Sequence, residues 1–212
     1  MPQDGGTIFI IFSLAVLLMS VIVHEVSHGY VAWMLGDPTA KLSGRLTLNP
    51  TSHLDPIGSV IVPVITWSIG IPFGWAKPVP YNPYNLKAGK WGPAIVAAAG
   101  PLSNFALALL FGLGLRLSFI LGITVSSTVI QAVFIVLFIN LSLGIFNLLP
   151  IAPLDGSKLL FALLPYHLNY IEEFMVRNQF LLVLALILVM NSSVAVWLII
   201  FENTLINLIL GI

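Results

Sequence analysis

No cysteine occurs among the 212 residues, which removes disulfides and thiolate metal sites from consideration. Charge is scarce as well. Asp, Glu, Lys and Arg make up 8% of the chain against 58% hydrophobic residues, where a soluble domain carries about 25% charged residues. A large core does not account for the shortfall, because a compact domain still covers its surface with polar groups. The 8 basic residues balance the 8 acidic ones, so nothing points to nucleic acid as a partner. What the chain has instead is long apolar runs: residues 8–23, 93–115 and 117–154 contain no Asp, Glu, Lys or Arg. Roughly 20 apolar residues cross a bilayer as a helix. The composition is that of a polytopic, all-α membrane protein whose main partner is the lipid bilayer.

The leader Met1 to Gly6 carries Asp4 and no basic residue, where a cleavable signal peptide is positive. The first apolar run is therefore expected to stay in the protein. The chain is read as one membrane-embedded domain, residues 1–212, with no length left for a soluble catalytic unit.

The pattern divides as follows. Residues 7–35 form a first helix, stopped by Gly36 and the Asp37-Pro38 pair; at 1.5 Å per residue it is about 43 Å long and tilts or projects from the hydrocarbon. Residues 41–53 form a β/loop element. Within it Leu42, Leu46 and Leu48 alternate with Lys41, Ser43, Arg45, Thr47 and Asn49, the period-2 signature of a short strand over 41–49. Such a strand must line protein or water, since strand edges are not tolerated in lipid. Residues 56–72 are apolar but broken by Pro56, Pro63 and Pro72. Residues 73–93 read as an aqueous or interfacial loop. Residues 94–117 and 126–149 are core helices, 155–170 an interfacial helix, and 173–210 C-terminal helices divided by Asn191-Ser192-Ser193. The expected architecture is a bundle of about five transmembrane helices, with a re-entrant segment and a short β element near the functional residues.

The re-entrant assignment of 56–72 rests on charge. If that stretch turns back, Lys41, Arg45, Lys77, Lys87, Lys90, Lys158 and Arg177 share one side and only Arg116 lies opposite, which matches the positive-inside bias. If it crosses, the bias weakens.

The chemistry is carried by His24-Glu25-Val26-Ser27-His28 in the first helix. Positions i and i+4 share a helical face, so both imidazoles can hold one ion. Glu25 is rotated by about 100° from His24, beside the position that a catalytic zinc site keeps open. A carboxylate there can take a proton as attack on a carbonyl begins. Two histidines and a glutamate inside an apolar helix are expensive and by default functional. A zinc site needs a third protein ligand, and His53, His167 and the four aspartates are open for it. Asp155, in Asn147-Leu148-Leu149-Pro150-Ile151-Ala152-Pro153-Leu154-Asp155-Gly156, stands out because, where 56–72 turns back, it lies on the same side as the end of the first helix. By spacing alone, an Asp-Gly after two prolines reads first as a turn.

Taken together, HEVSHGY (24–30), LNPTSHLDPIG (48–58), FGWAKPVPYNP (73–83), GPLSN (100–104) and NLLPIAPLDG (147–156) resemble the site-2 protease family of intramembrane zinc metalloproteases, in its small form without PDZ or CBS domains. The likeness covers about residues 7–160 and keeps the motifs in the expected order. It implies that His24, His28 and Asp155 hold one Zn2+ per chain and that Glu25 is the catalytic base. It also implies cleavage of a transmembrane protein substrate within the bilayer of the cell membrane, with the active site toward the cytoplasmic side. By the same resemblance Asn104 and Asn147 face the cleft and hold the substrate backbone or the oxyanion, although each reads equally well as a helix-packing amide. Gly100 and Pro101 read as small-residue positions for close helix approach. His53 supports a metal ligand from behind or belongs to an active-site loop, or is a plain loop histidine. His167 is interfacial, and the five Trp are interface anchors.

A helical substrate hides its carbonyls, so it has to unwind, and the expected strand 41–49 could hold the unwound piece by strand addition. Two other classes use the same histidine pair: a membrane metal transporter and a catalytically inactive protein that binds membrane helices. A transporter requires acidic or His residues along several helices. Residues 94–117 and 126–149 have none.

Overall fold

The structure is a computed structural model and describes residues 4–53, 77–190 and 193–211. Among these residues the regular structure is helical. The eight α-helices are α1 (Asp4–Met34), α2 (Thr39–Leu42), α3 (Gly92–Ile120), α4 (Ser127–Asn147), α5 (Asp155–Leu163), α6 (Asn169–Arg177), α7 (Gln179–Met190) and α8 (Ser193–Leu210), joined in places by single 3-10 turns.

Among the described residues three helical stretches are long and apolar enough to cross a membrane: Gly6–Met34, Gly89–Ile120 and Ser127–Asn147. Their outer faces carry bare hydrocarbon, for example Ile8, Ile11, Leu110 and Ile120, each more than 60% exposed. In water each such side chain would forgo about 1.5–3 kcal/mol of burial, so these faces suit lipid. Of the about five expected spans, three are found among the described residues. At 1.5 Å per residue, α7 is roughly 18 Å long and α8 roughly 27 Å, both short of a hydrocarbon core of about 30 Å.

α3 is the central helix. It packs against α1, α4, α5 and α8, and its contacts with α1 run in opposite chain direction at one-turn intervals: Val96 meets His28, Gly100 lies under both histidines, and Asn104 reaches Ser20. On its other side Asn104 meets Asn140 and Gly112 meets Leu137, again antiparallel. Ala108, Leu115, Leu137, Leu141, Ile206 and Leu210 close the apolar core between α3, α4 and α8. The late half of α1, the early half of α3 and the ends of α4 and α5 therefore meet at one end of the bundle.

Three expectations need correction or fall outside the described residues. No strand forms over 41–49. Instead Asp37 receives Thr39 N–H (3.3 Å) and Thr39 Oγ1–H (2.6 Å), which winds Thr39–Leu42 into a helical turn. The next amides then bond locally, Gly44 to the Lys41 carbonyl and Arg45 to that of Ala40. Burial breaks the alternation too, because Leu42 is 82% exposed and Arg45 only 9%. Arg45 turns inward to donate to the Ser52 carbonyl. Strand addition at 41–49 has no strand to use. The helix expected over 155–170 stops at Leu163: Pro165 follows, Leu164 is extended (φ −66°, ψ 136°), and a residue before proline avoids the helical region. The re-entrant segment 56–72 lies outside the described residues.

Candidate metal centre

α1 runs without interruption through residues 24–28, which puts the two imidazoles on one face, with ring centroids 4.7 Å apart and planes at 89°. Both face α3 and are nearly buried, His24 at 6% exposed and His28 at 9%. Gly100 is what lets them sit there. A Cβ at that position would come within 2.5 Å of His24 Cε1 and Nε2 and 2.6 Å of His28 Cε1, closer than real contacts allow.

Each ring is held by its Nδ1. His28 Nδ1 lies 2.7 Å from the Val96 carbonyl oxygen, which only accepts, so that nitrogen carries the proton. His24 Nδ1 lies 2.6 Å from Asn104 Oδ1. The orientation of that amide is set by its other end, where Nδ2 donates to the Ser20 carbonyl (3.3 Å) and to Asn140 Oδ1 (3.0 Å). Asn140 is fixed in turn by donating to the Val136 carbonyl at 2.9 Å. His24 Nδ1 therefore donates as well. In both rings Nε2 is left with its lone pair.

Those lone pairs meet a carboxylate. Asp155 Oδ2 lies 3.0 Å from His24 Nε2 and 3.2 Å from His28 Nε2. The acid arrives from the N-terminus of α5, after a sharp turn in which Gly156 packs against backbone: a Cβ there would be 2.2 Å from the Leu148 carbonyl oxygen. Three lone-pair donors converging in a buried place repel one another unless a cation lies between them. Zn–N distances of about 2.0–2.1 Å and Zn–O distances of about 2.0–2.2 Å put tetrahedral ligand atoms roughly 3.3 Å apart, and the separations found here fit. Among the described residues His24, His28 and Asp155 form the one group of three or more metal-binding side chains so arranged.

Beside them is a cavity of about 270 Å³, whose wall includes Glu25, Val79, Tyr81, Asn147, Asp155 and Lys158. Glu25 Oε2 accepts the Val79 N–H at 3.0 Å, which leaves Oε1 for water or substrate. Val79 belongs to a stretch without helix or strand, residues 77–82, that is tied down at both ends. Lys77 N–H donates to the His53 carbonyl. Beyond it, the fully buried Asp37 accepts from Asn82 N–H (2.7 Å) and Asn85 Nδ2 (2.8 Å). Burial opposes the charge on Asp37, but the bonds from Thr39, Asn85 and Asn82 outweigh it and hold its carboxyl below the usual aspartate range. Burial, with the charge of Asp155 adding, pushes the Tyr81 phenol up.

The residues singled out in the sequence are thus distributed in two groups. His24, Glu25, His28, Asp155 and Asn147 share the cavity; Asn147 Nδ2 donates to the Leu143 carbonyl at 3.0 Å. Asn104 differs from the cleft-facing expectation: it is fully buried and its amide is spent on His24, Ser20 and Asn140. His53 is 1% exposed, bonds the Thr47 carbonyl oxygen through Nε2 at 2.8 Å, and is absent from the cavity wall. His167 is exposed in the turn Tyr166–Leu168. Sequence reasoning passed over Asn140, Val79, Tyr81 and Lys158. Asn140 carried a signal as an amide within an otherwise apolar span, and Val79 and Tyr81 lie within the motif FGWAKPVPYNP.

A profile described as Peptidase family M50 matches residues 115–190, a stretch that contains Asp155 but not the histidine pair. The chain is 38% identical over 159 residues to "Putative zinc metalloprotease YwhC" of Bacillus subtilis (strain 168), covering 70% of this chain and 67% of that one. It is 30% identical over 183 residues to "Putative zinc metalloprotease Rip2" of Mycobacterium tuberculosis (strain ATCC 25618 / H37Rv), covering 85% and 67%. With Rip2 of Mycolicibacterium smegmatis (strain ATCC 700084 / mc(2)155) it shares 32% over 152 residues, covering 72% of this chain but only 55% of that one. No solved structure matches the chain significantly.

Proposed function

The chain belongs to peptidase family M50, the site-2 proteases, and on that premise we propose that it is a zinc endopeptidase cutting transmembrane protein substrates within the bilayer. The observation that carries the reading is the convergence of three lone pairs, from His24, His28 and Asp155, on the cavity that Glu25 also lines.

His24, His28 and Asp155 would hold the metal. Zinc, when bound, polarises a carbonyl and lowers the pKa of water to about 7. The chain's own groups do the rest. Glu25 takes the proton from the attacking water and later gives it to the leaving amine, with the Val79 N–H holding one carboxylate oxygen still between these steps. Asn147 has an amide N–H beyond the one given to Leu143, and offers it to the substrate carbonyl. His53 acts at a distance, through its carbonyl to Lys77 and so through the stretch that carries Val79. The end of the bundle with the site also bears Lys41, Lys87, Lys90 and Lys158, whereas Arg116 lies toward the far end of α3. This charge bias supports a multi-pass orientation in the cell membrane with the site toward the cytoplasm.

The test uses the full chain in liposomes with a labelled membrane-anchored substrate. Glu25→Gln should keep zinc and lose cleavage, His24→Ala should lose both, and chelation should stop the wild type. Normal turnover by Glu25→Gln, or zinc flux across the liposome without any cleavage, would defeat the proposal.

A further inference from the structure

We propose that the groove beside the metal centre, at Lys158, is a subsite for an acidic side chain of the substrate peptide; this rests on the proteolytic reading above. A second cavity, of about 340 Å³, is lined in part by Tyr81, Lys90, Lys158, Phe161, Tyr166 and Glu172. It adjoins the first, because Tyr81 and Lys158 belong to both walls. A chain extended past Glu25 and the metal ligands continues into this groove.

The two lysines differ. Lys90 is already engaged: its ammonium donates to the Leu164 carbonyl and lies 5.1 Å from the Tyr166 ring centroid. Lys158 is half-buried, with its ammonium 5.6 Å from the Phe161 ring centroid. Among the described residues the close contacts of a carboxylate with a basic side chain are the two of Asp155 with the histidines, and no carboxylate of these residues lies within pairing distance of Lys158. Its nearest acid in sequence, Asp155, directs Oδ2 at the imidazoles instead. The groove's lining includes two lysines, Lys90 and Lys158, and one acid, Glu172. Tyr81, whose phenol is neutral, adds a donor on the shared wall.

Lys158 follows Asp155 by three residues on α5, a rise of about 4.5 Å along the axis. An extended peptide advances about 3.3–3.6 Å per residue. The Asp or Glu that Lys158 recognises therefore lies roughly one to three residues from the scissile bond.

The experiment measures binding and cleavage separately, with the full chain in bilayer discs. Labelled peptides that place Glu, Gln or Lys at successive positions are bound to Glu25→Gln protein and cleaved by the active form. At one position Glu should bind about three- to tenfold more tightly than Gln, and the gain should appear in KM. Lys158→Ala should abolish the preference, Lys158→Glu should turn it toward Lys, and both should retain zinc. Equal binding of the Glu and Gln peptides, or a preference that Lys158→Glu leaves unmoved, overturns the subsite; a lysine that only snorkels to the interface gives that result. A preference that vanishes in discs without anionic lipid also overturns it. Zinc-loaded protein that cleaves nothing yet keeps the charge preference leaves the subsite standing and removes the proteolytic reading. Cleavage without charge preference does the reverse.

Discussion

His24 Nδ1 and Asn104 Oδ1 lie 2.6 Å apart, so an amide eighty positions along the chain decides which nitrogen of the first imidazole is left for a metal. The choice continues through Asn140 to the Val136 carbonyl, a line of polar groups that ties α1, α3 and α4 together across an apolar bundle. Hydrogen bonds behind a metal ligand commonly change affinity by about 10–100-fold.

Asn104→Ala should therefore weaken zinc binding by about that factor while leaving all three ligands in place. Asn104→Asp, which keeps an acceptor for His24 but loses the donors to Ser20 and Asn140, should fall between. Competition against a chromophoric chelator reads both. Wild-type affinity in the alanine variant would mean that the amide packs helices and does nothing for the imidazole.

Gly100→Ala should disturb the same centre from the other side. The new methyl would stand 2.5 Å from two atoms of the His24 ring and 2.6 Å from His28. Overpacking of this kind costs about 1–3 kcal/mol, and relief requires the imidazoles to move. Reduced zinc content and a lower unfolding temperature are expected. Gly114→Ala on the same helix meets no atom within 4 Å and should stabilise by about 0.5–1 kcal/mol. If both variants behave alike, close approach is not what Gly100 provides.

Asp37 gives a pH prediction. Its carboxyl titrates below the usual aspartate range in the folded protein, so across the interval between the two pKa values the unfolded chain binds the proton and the native one does not. Stability from this group is complete above the unfolded value of about 3.9 and is lost as pH falls through the folded one. Asp37→Asn, which sets an amide against the Asn82 and Thr39 donors, should cost about 1–3 kcal/mol near neutral pH. The gap to wild type should stay level from about pH 5 to 8 and narrow below about 4. Unfolding followed in parallel for the two proteins checks this. A gap that widens on acidification contradicts the sign.

Much of the site was legible because its parts are local. An i, i+4 histidine pair needs only a continuous helix to share a face, and α1 is continuous from Asp4 to Met34. The apolar runs marked the long helices for the same reason. The strand reading failed because alternation of leucines does not say where a chain's amides bond. Asp37 supplied a competing turn at Thr39, and Arg45 found the Ser52 carbonyl inside. Of the C-terminal segments, Gln179–Met190 and Ser193–Leu210 are apolar helices shorter than the three long ones, and hydropathy alone does not give a helix's length.

By itself the sequence determined the membrane setting, the histidine pair with Glu25 between, and the resemblance that nominated Asp155. Only the tertiary structure decided that the distant carboxylate meets both Nε2 atoms, that Asn104 stands behind His24 and not in the cleft, and that Lys158 borders two cavities. The physical reason is that ligand geometry and hydrogen-bond direction depend on how antiparallel helices register against one another. That register is set by close contacts such as Gly100 under the imidazoles, between residues that chain order keeps far apart.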